Sequence, residues 1–227
     1  ADLAPERFII FLQNHDQIGN RALGERLNVL AAPQALRAAY GLVLLCPQIP
    51  LLFMGEEWGS RQPFLFFTSH TPELGRIVRD GRRREFAGFS HFASEKTRHL
   101  IPDPNAPETF ATSQLRVAER EAPPHAGWLA MIRNLLALRK AEIMPRLPGA
   151  RAIGAHVIGP GAVMARWRMG DGTVLGMALN LGVASVAWPD TLRGRCLHAV
   201  LPQGTDLFHT ILPPDSVVVC LAEGTDE

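Results

Sequence analysis

The stretch Phe8-Ile9-Ile10-Phe11-Leu12-Gln13-Asn14-His15-Asp16-Gln17-Ile18-Gly19-Asn20-Arg21 decides how this chain folds. Phe8–Leu12 has the length and β-favouring composition of a buried strand, and it ends abruptly in polar groups. In a parallel α/β sheet or barrel, the C-terminal edge of such a strand is where substrates bind and catalytic side chains are mounted. Asn14, His15 and Asp16 are therefore the first site candidates. The same residue types also serve as ordinary turn formers, so the pattern alone leaves a structural role open.

Working outward, Pro33 suits the first turn of a helix, and Leu36, Tyr40, Val43 and Leu44 recur at helical spacing until Cys46-Pro47 closes it. Pro50–Gly55 then has the character of a second buried strand ending in a permissive glycine. Strand, loop, helix and strand in that order form a βαβ unit, which favours parallel pairing. Ala38–Gly55 is apolar enough to invite comparison with a membrane span, but Pro47 and Pro50 would break one continuous helix.

Beyond Gly55 the chain leaves this alternation. Glu56-Glu57-Trp58-Gly59 and Pro63–Phe67 place acids and aromatics together, as a sugar site or a packed lid would. A helix starts near Thr71-Pro72-Glu73, with Leu74, Ile77 and Val78 as part of its apolar stripe. The basic run Arg79–Phe86 has acids on its flanks and no aromatic repeat, which predicts a solvated helix face with local ion pairs rather than a nucleic-acid surface. Closely spaced prolines make Ile101–Pro107 irregular, and Thr109–Leu115 is expected to continue so. Trp128, Ile132, Leu135 and Leu136 mark a further amphipathic helix, with Pro145 and Pro148 at its exit. After Gly149 come Ala152–Val157, Ala162–Trp167, Val174–Leu179 and Val217–Leu221, short apolar segments typical of an all-β module, with Asp171-Gly172 as a hairpin signal. Asn180, Trp188, Asp190 and His198 are expected to be turn or core residues.

The chain has 227 residues and a formal net charge of +1, which gives no long-range field to attract nucleic acid or an anionic membrane. Cys46, Cys196 and Cys220 show neither metal-ligand spacing nor a disulfide framework, and no signal peptide is visible, so a cytoplasmic setting is expected. No metal shell can be assembled around His15-Asp16.

The segment FLQNHDQIGNRALGERL, with PLLFMGEEWG downstream, resembles the end of the catalytic barrel in the α-amylase superfamily of glycoside hydrolases. Within it the chain most resembles the malto-oligosyltrehalose trehalohydrolases, and the extension through Gly19-Asn20-Arg21 and Gly24–Leu27 makes the match more specific than Asn-His-Asp alone. The resemblance implies an α/β plus β chain: the last part of a (β/α)8 TIM barrel over residues 1–148, with a long insertion after its last strand, then a small all-β sandwich domain over 149–227. The first strand-helix units are absent, so Ala1 is expected to be a cut and the partner a missing N-terminal barrel portion.

The resemblance further implies a retaining hydrolase that cleaves the α-1,4 bond next to the terminal trehalosyl unit of maltooligosyltrehalose, or acts on a related α-glucan, without a cofactor. Such an enzyme needs two carboxyl groups about 5–5.5 Å apart, a nucleophile and an acid/base, which adjacent residues such as Glu56 and Glu57 supply poorly. In the family both stand on earlier strands, outside this chain, so the isolated fragment is expected to be inactive. Asp16 matches the acid that stabilises the transition state by holding sugar hydroxyls. Asn14, His15, Gln17, Arg21 and Glu57 are the candidate substrate contacts, although Arg21 also has a partner in Glu25 at helical spacing. Glucan branching within the same superfamily, or noncatalytic carbohydrate binding, are the alternatives.

Overall fold

A computed structural model describes residues 3–203 and 211–224. In chain order its first elements are strand β1 (Ile9–Ile10), helices α1 (His15–Gly19), α2 (Leu27–Leu30) and α3 (Pro33–Leu45), and strand β2 (Ile49–Pro50). Helices α4 (Pro72–Glu85), α5 (Glu95–Arg98), α6 (Pro107–Ser113) and α7 (His125–Leu138) follow. Strands β3 (Arg151–Gly159), β4 (Ala162–Arg168), β5 (Val174–Asn180), β6 (Val186–Ala187), β7 (Arg195–Val200), β8 (Ile211–Leu212) and β9 (Ser216–Ala222) end the chain. The architecture is mixed α/β with separate helical and sheet regions.

The chain forms two compact units. The first combines the residues up to Leu12, Ala31–Leu52 and everything from Gly127 onward. Here β1 and β2 pair in parallel, Ile9 opposite Ile49 and Ile10 opposite Pro50, as the βαβ order requires. Ile49 N–H donates to Phe8 O and Leu51 N–H to Ile10 O, both at 2.9 Å. Helix α3 joins the strands, with Pro33 in its first turn and Leu36, Tyr40, Val43 and Leu44 buried. Both strands are shorter and more open than their composition suggests. Each has one ladder neighbour among the described residues, and Ile9 and Ile49 remain 60% and 45% exposed.

Arg139, which follows α7, fixes the turn from α3 into β2. Its buried guanidinium donates to Leu44 O at 3.1 Å and Gln48 O at 2.7 Å, and also to Cys46 O. Leu44 O is a carbonyl that the end of α3 leaves without a helical donor, Cys46 O and Gln48 O belong to the turn beyond it, and charge-assisted bonds satisfy them more strongly than neutral ones.

Strands β3 to β9 form a five-stranded antiparallel sheet in the order β3-β4-β5-β9-β7, with β6 and β8 as a separate pair. The Asp171-Gly172 hairpin lies between β4 and β5: Gly172 takes φ +86°, and Asp171 accepts from Thr173 N–H at 3.1 Å. Met164, Ala178, Val218 and Cys220 pack with Val186 of β6 and Leu212 of β8. The opposite face of β9 and β7 meets α3. This approach is close because residue 41 has no side chain: a Cβ there would lie 2.9 Å from Val217 Cγ1. Covered on both faces, β9 loses the polar alternation of a half-solvated strand. Asn180 is wholly buried and donates to Ala184 O and Leu212 O at 2.9 and 3.0 Å, while Asp190 is exposed.

Cys196 and Cys220 are directly opposed across β7 and β9, and all three cysteines are free thiols. A hydrogen bond from the Cys220 thiol pulls Cys196 down and drives Cys220 up, whereas burial pushes Cys46 up to about 11. Alkylation of the native protein by iodoacetamide, followed by mass spectrometry, is expected to modify Cys196 at a lower pH than an ordinary thiol while Cys46 stays unmodified. In a second test, Arg139→Leu is expected to lower stability by about 3 kcal/mol in chemical denaturation, since it leaves the buried carbonyls unsatisfied.

Candidate functional site

The second compact unit consists of Gln13–Leu30 and Phe53–Ala126. These are the chain segments that follow β1 and β2, and they fold on each other. In α/β barrels, loops leaving the C-terminal ends of strands supply the active site.

Helix α1 starts at Asn14 through a capping box. Asn14 Oδ1 accepts from Asp16 N–H at 2.7 Å, and Gln17 Oε1 accepts from Asn14 N–H at 3.0 Å. The box consumes the side-chain oxygens of Asn14 and Gln17 and leaves their amide nitrogens as donors. His15 and Asp16 project outward with 67% of each side chain exposed, His15 Nε2 lying 3.4 Å from Asp16 Oδ1.

Beneath this exposed pair is a buried polar layer that the sequence did not announce. Gln13, only 4% exposed, donates to Glu56 Oε1 at 3.1 Å and accepts from Leu27 N–H at 2.9 Å. Glu56 also accepts from Phe53 N–H. Arg26 is buried and donates to Met54 O at 3.0 Å and to Gln62 O, with its guanidinium 5.2 Å from the Phe53 ring centre. Asn28 donates to Gly59 O and Ser60 O at 2.6 and 3.0 Å. At Gly24, where φ is +60°, a Cβ would lie 2.7 Å from Phe64 O, so a side chain there would separate the segments.

The remaining candidates are placed as follows. Arg21 pairs with Glu25 at 3.2 Å, the structural alternative the spacing offered. Glu57 Oε2 accepts from Gly55 N–H at 2.9 Å and so shapes its own turn. Trp58 is buried, and its carbonyl lies 2.9 Å from His125 Nδ1. Phe53, Phe64, Phe67 and Phe110 form a chain of edge-to-face contacts with centroids 5.1, 5.6 and 5.2 Å apart. Phe66 and Phe67 stay 37% exposed.

Two local expectations are corrected. Arg84 is exposed and Arg79, half-buried, pairs with Asp80 at 3.0 Å, but Arg82 turns inward. It donates to Gly19 O at 2.7 Å and Arg21 O at 2.8 Å, with its guanidinium 4.6 Å from the Phe66 ring centre. The inner face of α4 runs through Gly75, Arg82 and then Phe86, while Leu74 and Ile77 are 44% and 50% exposed. Gly75 and Arg82 are two helical turns apart, so their spacing was the available signal, but neither residue type is counted as apolar. The second correction concerns α6, which is helical where irregular chain was expected. Pro107 stands in its first turn, where a missing N–H costs nothing.

Among the described residues no group of His, Cys, Asp or Glu is arranged to hold a metal ion, and no helix is long and apolar enough to cross a membrane.

The class to which this fold corresponds is seen in a solved structure, a putative alpha amylase from Salmonella typhimurium. It is 39% identical, with a TM-score of 0.82 over 97% of this chain and 36% of that one. In sequence the chain is similar, more particularly, to malto-oligosyltrehalose trehalohydrolases. That of Arthrobacter ramosus is 48% identical over 140 residues, which cover 61% of this chain and 24% of the relative. That of Deinococcus radiodurans is 46% identical over 140 residues, covering 62% and 23%. The matches thus span about a quarter of the length of these curated relatives. Residues 150–219 match a family model described as a domain of unknown function, DUF3459. The resemblance read from the sequence is thus matched by similarity to curated trehalohydrolases.

Glu56 and Glu57 are adjacent but differ in what they hold. Glu56→Ala is expected to cost about 3 kcal/mol, because Gln13 and Phe53 N–H lose a buried acceptor. Glu57→Ala removes one turn contact and is expected to cost about 1 kcal/mol or less. Thermal denaturation of the two variants side by side checks the contrast.

Proposed function

We propose that this chain is part of a retaining α-glucan hydrolase that cleaves the α-1,4 bond next to the terminal trehalosyl unit of maltooligosyltrehalose and releases trehalose. The observation that carries the proposal is the setting of Asp16. It is an exposed carboxylate in the capped helix that follows a parallel strand, within a chain similar to trehalohydrolases. In this reading β1 and β2 are the last two strands of a (β/α)8 barrel, and the residues after 148 form a β-sandwich domain. The open apolar edges of Ile9 and Ile49 support pairing with further barrel strands of the full-length protein. The free thiols support a reducing, cytoplasmic setting.

Asp16 holds hydroxyls of the sugar ring whose anomeric carbon reacts. A fixed carboxylate holds them more tightly as positive charge develops there, so it lowers the barrier rather than merely binding substrate. His15 donates to the same ring. The amide nitrogens of Asn14 and Gln17, with their oxygens committed to the capping box, serve as further donors. Arg21 and Glu57 contribute what their structural bonds leave available. The nucleophilic Asp and the acid/base Glu come from earlier strands of the barrel, about 5–5.5 Å apart across the scissile bond.

Asp16→Asn in the full-length protein is expected to reduce kcat/KM for trehalose release by two to three orders of magnitude with an unchanged thermal transition. Near-wild-type turnover by pure variant would overturn the role. A second reading is favoured by the likeness to a putative alpha amylase across 97% of the chain. Another superfamily activity, such as glucan branching, is separated by product analysis on maltooligosyltrehalose and on plain amylose.

A further inference from the structure

Within the two-segment unit, a cavity of about 310 Å³ lies between the end of α1 and the turns after α4. One wall carries Gln17, Asn20, Arg21 and Glu25, and the other carries Phe86, Phe89 and Phe92. We propose that this cavity binds one pyranose ring of the glucan chain, with Phe89 as its stacking platform and Asn20, Arg21 and Glu25 as its hydrogen-bonding edge. The proposal rests on the α-glucan reading above and adds a subsite to it.

The aromatics do different jobs. Phe86 and Phe92 are 7% and 8% exposed and form a small core with Ala22 and Ile101. That core accounts for both. Phe89 is 61% exposed, with its ring centre 5.6 Å from that of Phe86 at 45°, so it stands on the rim and folding gains little from it. The facing wall supplies both kinds of polar partner: the Asn20 amide donates and accepts, Arg21 donates, and Glu25 accepts. Arg21 and Glu25 neutralise each other at 3.2 Å, so the wall gives no preference for an anion or a cation. A purely apolar ligand would strand these polar groups. The ligand class left is neutral, with an apolar C–H face and a rim of hydroxyls that donate and accept, which describes a pyranose.

Position then ties the cavity to the reaction. Gln17 follows Asp16 in α1, and Arg82 fixes the turn beyond through Gly19 O and Arg21 O. A ring seated here belongs to the same oligosaccharide but not to the reacting unit. Its contacts are made equally in ground and transition states, so they act on KM and on chain-length preference rather than on kcat.

The test uses full-length protein with Phe89→Ala, Phe89→Leu and Phe89→Trp. Phe89→Ala and Phe89→Leu are expected to raise KM about tenfold for long maltooligosyltrehalose while kcat and KM for the shortest substrate stay near wild type, and Phe89→Trp restores KM. Calorimetric titration with maltohexaose and maltotriose is expected to show the same roughly tenfold loss for the longer sugar only. Unchanged KM and affinity at every chain length, or a loss equal for all lengths, would overturn the subsite. If the wild type releases no trehalose yet Phe89→Ala still loses maltohexaose affinity, the subsite stands and the hydrolase reading falls. Turnover as proposed with indifferent titrations removes the subsite alone.

Discussion

A buried hydrogen bond from the Gln13 amide to the Glu56 carboxylate holds the rest of the candidate site in place. It joins residues 43 positions apart, one just after β1 and the other just after β2, and each partner also takes a backbone N–H of the segments it joins. Neither group could be buried alone without a large desolvation cost. Together they hold two irregular segments in one compact unit, and the exposed Asp16 stands on the helix that begins directly after Gln13.

Irregular chain that is buried must find partners for its carbonyls without a helix or sheet to supply them. Here the answer is repeated. Arg26, Arg82 and Arg139 are all buried, and each donates to backbone oxygens of irregular chain. A rigid fork of several donors suits a turn whose carbonyls converge, which a lysine could not match. The same device thus fixes the corner between α3 and β2 in one unit and the loops around α1 in the other.

The regular parts of the fold were legible because periodicity and turn chemistry announce them. The βαβ order, α3 with its proline start and the Asp171-Gly172 hairpin follow from local sequence, and so does the cluster at Asn14–Asp16. What stayed hidden depends on distant partners. Arg82 lies in a charged run and looks solvated until Gly19 and Arg21 supply its carbonyls. Thr109–Ser113 looks irregular until Pro107 is seen opening a helix whose Ser113 hydroxyl accepts from Leu65 N–H at 3.0 Å. Phe89 differs from Phe86 and Phe92 only in which way it faces, and no spacing encodes that.

The inward turn of Arg82 has a consequence for how such a fold can diversify. Because α4 anchors the turn that follows Asp16, the excursion after β2 and the loop after β1 travel as one cassette. Grafting a foreign excursion onto this scaffold would alter the bearing of the helix that carries Asp16 as well as the excursion itself. Sequences that change one of these loops are constrained to rewrite both in step.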